Sequence, residues 1–316
     1  MRILITGGFG FIGGRLAMHL AQAGHQVILG SRRPATAPAW LLQSEVIQVI
    51  WDESSALEHI CTGVDILIQA AGMNAKDCQH DPVAALALNG VATARLVAAA
   101  SAVGVKRFIY LSTIHVYSSS LRGTITEEDC PYNLHPYATS HLAGEHAVLS
   151  ASQAGKIEGI VLRLSNAFGE PVDRHVNCWM LLVNDLCKQA VQTGKLVLKT
   201  GGLQQRDFIS LSEVCRVVEY FSAGFSNSRQ TGIFNIGSGV SLSVLTMAQL
   251  IQERCADVLG VEPLLERSQG GIDEVNPVLK YRTDKLKSLG VNIGDADNMT
   301  EIDSLLNFCH KTYAGR

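Results

Sequence analysis

Three glycines near the start of the chain are spaced as in a phosphate-binding turn. Gly8, Gly10 and Gly13 satisfy the pattern G-x-G-x-x-G between an aliphatic run at 2–6 and a helix-like segment at 12–23. In this context the glycines allow a tight turn and close approach to a pyrophosphate, whose charge the amides of the helix N-terminus hold. The pattern predicts a dinucleotide site, although a glycine-rich turn without a ligand would look the same. The positions assigned to this cofactor turn are Gly7, Gly10, Phe11, Ile12 and Gly13.

The residues that follow the second predicted strand bear on which dinucleotide is bound. A site for NAD carries Asp or Glu about 20 residues after the glycines, where the acid binds the ribose 2′-hydroxyl. This chain has Gly30, Ser31, Arg32 and Arg33 there. Ser31 takes the place of the acid, and the two guanidiniums that follow can accommodate a 2′-phosphate. The sequence therefore favours NADP over NAD, unless both arginines are ordinary surface charges.

Short apolar runs alternate with helix-like segments in the first half of the chain, and these elements must position the turn. The runs are aliphatic or β-branched and nearly all continuous, as in strands covered by helices on both faces. Their alternation with helices implies right-handed crossovers and a Rossmann-type, doubly wound parallel sheet, which is an α/β fold. The predicted strands are 2–6, 25–29, 45–50, 64–69, 106–112 and 159–164, and the predicted helices are 12–23, 82–104 and 137–153.

This rhythm changes at Phe168, after which the elements become irregular. We expect 1–168 to form the nucleotide-binding domain and 169–316 to form a smaller α/β lobe that binds the substrate, with the reaction site in the cleft between them. The boundary is approximate because 159–164 leads straight from one into the other. The patterns predict helices near 175–193, 211–223, 243–259 and 299–312, and strands near 196–198 and 232–236.

Composition and charge exclude several other classes of protein. The 316 residues include 26 basic and 29 acidic ones, and a net charge of −3 gives no strong basic field that would attract nucleic acid. A chain that is 47% hydrophobic and only 17% charged is not intrinsically disordered. The eight cysteines include no CxxC pair, so we expect no metal site and read them as buried thiols of a reducing compartment.

Neither a leader nor a membrane anchor is expected from the sequence. Glycines interrupt the first apolar run too early for a signal peptide. The alanine-rich stretch 83–105 contains Asn89, Thr93 and Arg95, which we take to be too polar for a membrane span. The expectation is therefore a cytoplasmic protein.

Seven ordered segments, spread over about the whole chain, carry a wider resemblance. They are TGGFGFIGG at 6–14, AAG at 70–72, FIYLSTIHVY at 108–117, HPYATSHLAGEH at 135–146, RLSNAFGEP at 163–171, RDFISLSEV at 206–214 and FNIGSG at 234–239. Together they closely resemble the extended short-chain dehydrogenase/reductases, specifically the nucleotide-sugar epimerase/dehydratase/reductase group. The resemblance implies an NAD(P)-dependent enzyme that transfers a hydride at a sugar carbon, C4 in particular, of a nucleotide-diphosphate sugar. It also implies a homodimer formed through the helices at 82–104 and 137–153.

The resemblance implies catalytic roles for two residues. Thr113, four residues before Tyr117 of the Val-Tyr pair, matches the Ser or Thr that hydrogen-bonds the reacting hydroxyl or carbonyl. Tyr137 matches the Tyr of Y-x-x-x-K, the general acid/base of the family. A phenol normally titrates at about 10, so a site that works near neutral pH must stabilise the phenolate.

His141 departs from the family pattern, which places Lys four residues after the Tyr and one helical turn away. An imidazolium could supply similar positive charge and hydrogen-bond the nicotinamide ribose, whereas a neutral His would lower the phenol pKa less. Three interpretations stay open. His141 substitutes for the Lys, or another group such as His115 is the acid/base, or the protein binds cofactor with weakened or lost catalysis.

Other positions match cofactor contacts of the family. Asp52 matches an acid near the adenine amine, although an ordinary surface acid is the alternative. Ala70, Ala71 and Gly72 end the fourth strand, where small side chains let the cofactor ribose approach. Asn89 matches a structural Asn on the next helix.

On the substrate side, the resemblance implies contacts with the nucleotide diphosphate. Asn166 matches a residue near the phosphates. Arg206 matches an arginine whose guanidinium can donate two hydrogen bonds to phosphate oxygens. The alternative for Arg206 is an ion pair between the two lobes. Asn177, Arg267 and His115 are further candidates.

The residues after Thr113 narrow the reaction. The 4,6-dehydratases of the family carry Asp-Glu there, whereas this chain has Ile114 and His115. Dehydration is therefore disfavoured, and C4 epimerisation and 4-keto reduction both remain. Arg32 and Arg33 favour a dissociating NADPH reductase, whereas family epimerases use retained NAD.

Overall fold

The computed structural model describes residues 1–223, 230–268, 278–294 and 296–314. The chain divides into two compact units that exchange segments along the sequence. The first unit comprises Met1–Ser120, Glu127–Leu164 and Cys215–Asn235, and the second comprises Leu121–Thr126, Ser165–Val214 and Ile236–Arg316.

The described residues contain fourteen strands. They are β1 (Arg2–Thr6), β2 (Gln26–Ser31), β3 (Glu45–Gln48), β4 (Ile66–Gln69), β5 (Arg107–Thr113), β6 (Gly123–Ile125), β7 (Glu158–Leu164), β8 (Asn166–Phe168), β9 (Lys195–Leu198), β10 (Gln205–Ser210), β11 (Gly232–Ile236), β12 (Ser241–Ser243), β13 (Leu264–Arg267) and β14 (Leu279–Tyr281).

A seven-stranded sheet forms the centre of the first unit. Its order is β11-β7-β5-β4-β1-β2-β3, and neighbouring strands from β7 to β3 run parallel. The predicted doubly wound α/β sheet is thereby confirmed. Because the chain moves outward from β1 first on one side and then on the other, the carboxyl ends of β1 and β4 flank the crevice where such sheets bind ligands.

Helices cover this sheet and build the second unit. They are α1 (Phe11–Gln22), α2 (Ser54–Cys61), α3 (Ala75–His80), α4 (Pro82–Ala85), α5 (Thr93–Ala102), α6 (Pro136–Gln153), α7 (Leu182–Thr193), α8 (Leu211–Ser222), α9 (Val244–Leu259), α10 (Asp284–Lys287) and α11 (Ala296–Tyr313). A π-helical turn, Leu86–Ala92, joins α4 to α5.

One predicted helix begins later than expected. The helix predicted near 175–193 starts only at Leu182. The Asp173 carboxylate accepts a hydrogen bond from the His175 amide at 2.8 Å, which draws the backbone into a side-chain-stabilised turn instead of a helix.

The joined helical segment Pro82–Ala102 bears on the expectation that no part of the chain spans a membrane. At 21 residues it is the one described helix long and apolar enough to cross a membrane by length and composition, so the polar residues within it do not exclude a span as predicted. Half of its apolar window is buried inside the protein. Asn89 and Thr93 are buried there and bonded to Ser140 and Gln69.

Each unit has its own hydrophobic core. In the first, Leu4, Leu67, Phe108 and Val161 pack with the helices on one face of the sheet. In the second, the core joins α7, α9 and α11 around residues such as Phe208. Seven of the eight cysteines are buried free thiols, as predicted, but Cys130 is exposed.

Candidate active site

The glycine turn between β1 and α1 is closed by backbone contacts that no side chain could enter. Gly7 has φ of +67°, and a Cβ there would lie 2.8 Å from the Ala71 amide nitrogen. A Cβ on Gly13 would lie 2.2 Å from the Gly7 carbonyl oxygen, and the Gly10 amide donates to that oxygen at 2.8 Å. The first turn of α1 therefore packs directly against the glycine loop, and the loop packs against the end of β4.

The start of α1 has the features of an anion site. Gly10 is the N-cap, and no described side chain caps the helix. Phe11 and Ile12 occupy the first turn and are half-buried. Amides at an uncapped helix N-terminus suit phosphate oxygens. Together with the glycine contacts, this geometry fits a dinucleotide pyrophosphate.

Ser31 ends β2, and the two arginines that follow it are exposed. The Ser31 hydroxyl accepts a hydrogen bond from the Arg33 amide at 3.2 Å. Within the part of the chain that the structure describes, the guanidiniums of Arg32 and Arg33 form no ion pair. Both are therefore available to an anionic ligand.

The remaining predicted cofactor positions lie near the ends of β3 and β4. Ala70, Ala71 and Gly72 follow β4, and Ala71 touches the glycine turn as described above. The Asp52 carboxylate forms a short ion pair with Arg95 and its side chain is 91% exposed. Asp52 is thus a surface acid that is already paired.

Thr113, Tyr137 and His141 come together at the carboxyl end of β5 and the start of α6. His135 caps α6 by accepting from the Tyr137 amide at 3.2 Å, and Pro136 opens the helix. The Thr113 side chain lies beside the Tyr137 hydroxyl. The rings of Tyr137 and His141 meet edge to face with centroids 4.6 Å apart. A polar oxygen held between Thr113 and Tyr137 would receive two hydrogen bonds.

His141 is a buried, neutral group. Burial, reinforced by the nearby His115, lowers the pKa of His141 to about 4. Near neutral pH its imidazole therefore carries no charge, and it does not supply the positive charge that the family Lys provides. Its Nδ1 lies 3.0 Å from the Tyr110 hydroxyl, in a hydrogen bond that the sequence did not predict.

The phenol of Tyr137 is protonated near neutral pH. Burial raises the pKa of Tyr137 to about 12, and the nearby Thr113 side chain opposes that rise. The exposed ring of His115 lies 6.4 Å from the Tyr137 ring, between centroids. His115 is therefore close enough to meet a substrate held by Tyr137.

A buried ion pair lies one turn further along α6 and was missed from the sequence. The Glu145 carboxylate accepts from Arg163 of β7, with Nη2 to Oε2 at 2.6 Å, and from the Ser112 hydroxyl. The Arg163 guanidinium also covers the Tyr117 ring at 4.6 Å. A signal was present, because Arg163 interrupts the apolar strand 159–164 and a buried charge needs a partner.

Asn89 has the structural role that was expected of it. Its Oδ1 accepts from the Met73 amide at 2.9 Å, and its Nδ2 donates to the Ser140 hydroxyl at 3.0 Å. It thereby ties the segment after Gly72 to α6. A Cβ on Gly72 would lie 3.2 Å from Asn89 Oδ1 and 3.9 Å from His141 Nε2, so the end of β4 also lies beside His141.

The predicted substrate residues all belong to the second unit, except His115. Asn166 and Arg206 lie on adjacent strands, β8 and β10, of a three-stranded sheet. Asn166 donates to the Asp207 carbonyl at 2.8 Å. Asn177 is exposed in the loop before α7, and Arg267 is exposed on β13, where it donates to the Gly201 carbonyl at 3.4 Å. The structure thus brings Asn166 and Arg206 onto neighbouring strands. It places Asn177 and Arg267 on other elements.

Arg206 is a half-buried guanidinium. It donates to the Gln204 side chain at 2.9 Å, and no described carboxylate pairs with it, so the ion-pair alternative has no support here. Burial lowers the pKa of Arg206. Among the residues that the structure describes, no group of three or more His, Cys, Asp or Glu is arranged to hold a metal ion.

Comparison with known proteins identifies relatives of the whole fold. The chain is 29% identical to the dTDP-6-deoxy-L-talose 4-dehydrogenase (NAD(P)(+)) of Kitasatospora kifunensis, over 80% of this chain and 78% of the relative. It is 26% identical to the dTDP-D-glucose 4,6-dehydratase of Mus musculus, over 80% and 73%. The Bacillus cereus UDP-glucuronic acid 4-epimerase, solved with UDP-glucuronic acid and NAD, superimposes with a TM-score of 0.80 at 20% identity, over 99% of this chain and all of that one.

A family model establishes the assignment. The model described as the NAD dependent epimerase/dehydratase family matches residues 3–237, which is most of the chain. It extends over the glycine turn, Thr113, Tyr137, His141 and Arg206. The resemblance drawn from the seven sequence segments is therefore confirmed, and so is the expectation of an enzyme class that works with a nicotinamide cofactor. The chain belongs to the NAD dependent epimerase/dehydratase family.

Proposed function

We propose that the protein is an NAD(P)-dependent oxidoreductase that reduces a keto group, at C4, of a nucleotide-diphosphate sugar. The observation that carries the proposal is the group at the start of α6, where a protonated Tyr137 lies beside Thr113 and packs against a neutral His141. A protonated phenol is the form required to deliver a proton to a carbonyl oxygen.

Each residue of this group has a defined task in the reduction. The bound nicotinamide supplies the hydride that is added to the carbonyl carbon. Tyr137 donates its phenolic proton to the carbonyl oxygen, which becomes the hydroxyl of the product. Thr113 donates a hydrogen bond to the same oxygen and fixes its position, because a misplaced oxygen would lie outside the reach of the phenol.

The protonation state of Tyr137 favours reduction over epimerisation. An epimerase must first remove a hydroxyl proton, so its tyrosine has to act as a base before it acts as an acid. A pKa of about 12 for Tyr137 makes the phenolate scarce near neutral pH. The Kitasatospora kifunensis relative is by name a 4-dehydrogenase, whose reaction in reverse is a reduction of this kind.

Dehydration has less support, although 4,6-dehydratases are among the relatives. The position after Thr113 is Ile114, which is fully buried, and the next is His115. Neither position directly after Thr113 therefore holds a carboxylate that could take a proton from the sugar and give one to the departing hydroxyl group.

Arg206 and Asn166 are proposed to bind the diphosphate of the substrate. Arg206 has no carboxylate partner among the described residues, and burial lowers its pKa because the charge is not compensated. A diphosphate would compensate it with two parallel hydrogen bonds to the guanidinium fork. Asn177, Arg267 and His115 are proposed as further substrate contacts.

NADPH is the proposed cofactor. The two exposed guanidiniums of Arg32 and Arg33 directly follow β2 and are free of ion pairs to the described residues. We expect the double replacement Arg32→Ala and Arg33→Ala to weaken binding of NADPH and to leave binding of NADH nearly unchanged. Fluorescence titration of both dinucleotides would test it, and tighter binding of NADH by the wild-type protein would refute the preference.

A homodimer through α5 and α6 is also proposed. Small residues of the two helices line a shared groove, among them Ala94, Ala98, Ala147 and Ala151. Light scattering after size exclusion measures the mass, and Ala98→Glu with Ala151→Glu should convert a dimer into monomers.

A second candidate is a cofactor-binding protein with weakened catalysis, which the neutral His141 favours. The two candidates differ in turnover. The experiment mixes the purified protein with NADPH or NADH and a panel of dTDP-, UDP- and GDP-linked 4-keto sugars, and follows nicotinamide absorbance. We expect oxidation of the dinucleotide with at least one sugar and its loss in Tyr137→Phe. Binding without turnover throughout the panel would favour the second candidate. Interconversion of sugar epimers without net change in absorbance would favour an epimerase.

A further inference from the structure

We propose that Tyr110 is a positioning residue which holds His141 as the neutral tautomer with its proton on Nε2, so that His141 is a hydrogen-bond donor toward the bound dinucleotide. The Tyr110 hydroxyl lies 3.0 Å from His141 Nδ1, and both side chains are buried. A hydroxyl that donates to Nδ1 requires that nitrogen to be unprotonated, and a neutral imidazole then carries its proton on Nε2.

The direction of this hydrogen bond depends on the two acceptors that the Tyr110 hydroxyl can reach. The Asn89 carbonyl accepts from it at 3.3 Å, and His141 Nδ1 lies nearer, at 3.0 Å. We therefore assign the Tyr110 proton to the shorter contact, which makes His141 Nδ1 the acceptor.

Gly144 makes room for the Tyr110 hydroxyl. A Cβ on Gly144 would lie 2.6 Å from the Tyr110 oxygen and 2.7 Å from the carbonyl oxygen of Asn89. That carbonyl belongs to the π-helical turn and lies 3.3 Å from the Tyr110 oxygen, further than His141 Nδ1. Only a glycine at this position lets the phenol rest against α6 beneath the imidazole.

The opposite edge of His141 faces the end of β4. Nε2 and Cε1 are the imidazole atoms nearest to Gly72, each 3.9 Å from the position that a Cβ would take there. In doubly wound sheets this strand end borders the ligand crevice. An Nε2 proton therefore points toward the place where the dinucleotide is proposed to lie, and this part of the inference rests on the proposed function.

The tautomer is directly measurable without cofactor. Nitrogen NMR of the isotope-labelled protein distinguishes a protonated from an unprotonated ring nitrogen, and the signals of His141 are those missing in His141→Gln. We expect a neutral His141 with its proton on Nε2, and in Tyr110→Phe a shift of its signals toward a tautomer mixture. The matched control is Tyr117→Phe, which removes another buried hydroxyl, bonded to Asn235 at 2.7 Å, and should leave His141 unchanged.

Three results would overturn the assignment: a proton on Nδ1, an imidazolium near neutral pH, or His141 signals that do not respond to Tyr110→Phe. Gly144→Ala is the second variant, because its methyl group must displace the Tyr110 hydroxyl. It should change the His141 signals in the same direction. Circular dichroism verifies the fold of each variant.

Dinucleotide binding tests the functional half separately. Loss of the oriented donor should weaken binding of NADPH by about 2- to 10-fold in Tyr110→Phe, the effect of one net hydrogen bond, with no change in Tyr117→Phe. Unchanged affinity together with a changed tautomer would refute the role toward the dinucleotide and keep the positioning role. If the wild-type protein binds no dinucleotide, the proposed function is refuted. The NMR measurement still decides independently whether Tyr110 fixes the tautomer of His141.

Discussion

Two consecutive turns of α6 hold buried ionisable side chains in opposite states. Glu145 is fully buried and is bonded to the Arg163 guanidinium at 2.6 Å. His141, four residues earlier on the same face, is bonded to a neutral phenol at 3.0 Å. A buried side chain keeps its charge where an opposite charge meets it, and gives the charge up where only neutral groups do. One helix therefore carries a structural ion pair and a neutral site residue side by side.

This contrast assigns different consequences to the two turns. The turn at Tyr137 and His141 carries the residues proposed to take part in the reaction, so changes there should alter rates and proton affinities. The turn at Glu145 faces the interior between α6 and β7, so changes there should alter the free energy of unfolding.

The largest effect is expected for Tyr137→Phe. Removing a general acid lowers kcat by about 10²- to 10⁴-fold, while the phenyl ring still packs on His141. Steady-state kinetics and urea unfolding of the same sample measure the two quantities. Tyr132→Phe is the control, because Tyr132 is exposed and should change neither. A loss of stability as large as the loss of rate would end the distinction between the turns.

The substitution Glu145→Gln breaks the buried ion pair and should lower the free energy of unfolding. The Arg163 charge would remain buried without its anion, which costs about 3–5 kcal/mol of unfolding free energy. Glu266→Gln breaks the half-exposed pair with Lys195 and should cost at most about 1 kcal/mol. Denaturant midpoints compare both variants. Equal midpoints would mean that the buried pair contributes no more than a surface one.

His141 should make stability depend on pH in a way that Gln does not. Its pKa of about 4 in the folded protein lies below the value of about 6.5 that a histidine has in an unfolded chain. As pH falls below about 6.5, the unfolded chain takes up the proton first, so stability is fully present above that pH and is lost toward about pH 4. The loss amounts to about 3 kcal/mol and should be absent in His141→Gln. Identical pH profiles of unfolding for the two proteins would contradict a buried neutral imidazole.

The sequence predicted those features that are determined by residues close together in the chain. The glycine pattern predicted the bounds of β1 and α1 nearly to the residue, because the backbone conformation and the close contacts of Gly7 and Gly13 are encoded in a short segment. The family motifs placed Thr113 and Tyr137 close together. By contrast, the hydrogen bond between Tyr110 on β5 and His141 on α6 joins residues that are 31 positions apart. No spacing pattern in the sequence predicts a contact of this kind. The late start of α7 follows a turn in which the Asp173 carboxylate bonds both the amide and the ring of His175.

The smallest predicted effect restores the charge that the family pattern has at position 141. In His141→Lys an ammonium would stand close to the Tyr137 ring, whose centroid now lies 4.6 Å from that of the imidazole. A cation at this range favours the phenolate, and we expect the pKa of Tyr137 to fall by about 1 unit, the low end of such shifts, because the buried ammonium is itself poorly solvated. Difference absorbance titration against Tyr137→Phe isolates this phenol.

The same variant separates the two directions of the reaction. A more acidic phenol is a better source of phenolate, so oxidation of the sugar alcohol should gain rate near neutral pH relative to ketone reduction. His141→Gln is the matched control, since it changes the side chain without adding charge and should leave that ratio unchanged. If His141→Lys leaves both the Tyr137 pKa and the ratio where they are, the charge at position 141 does not control Tyr137. The contrast between the two turns of α6 would then be a matter of packing alone.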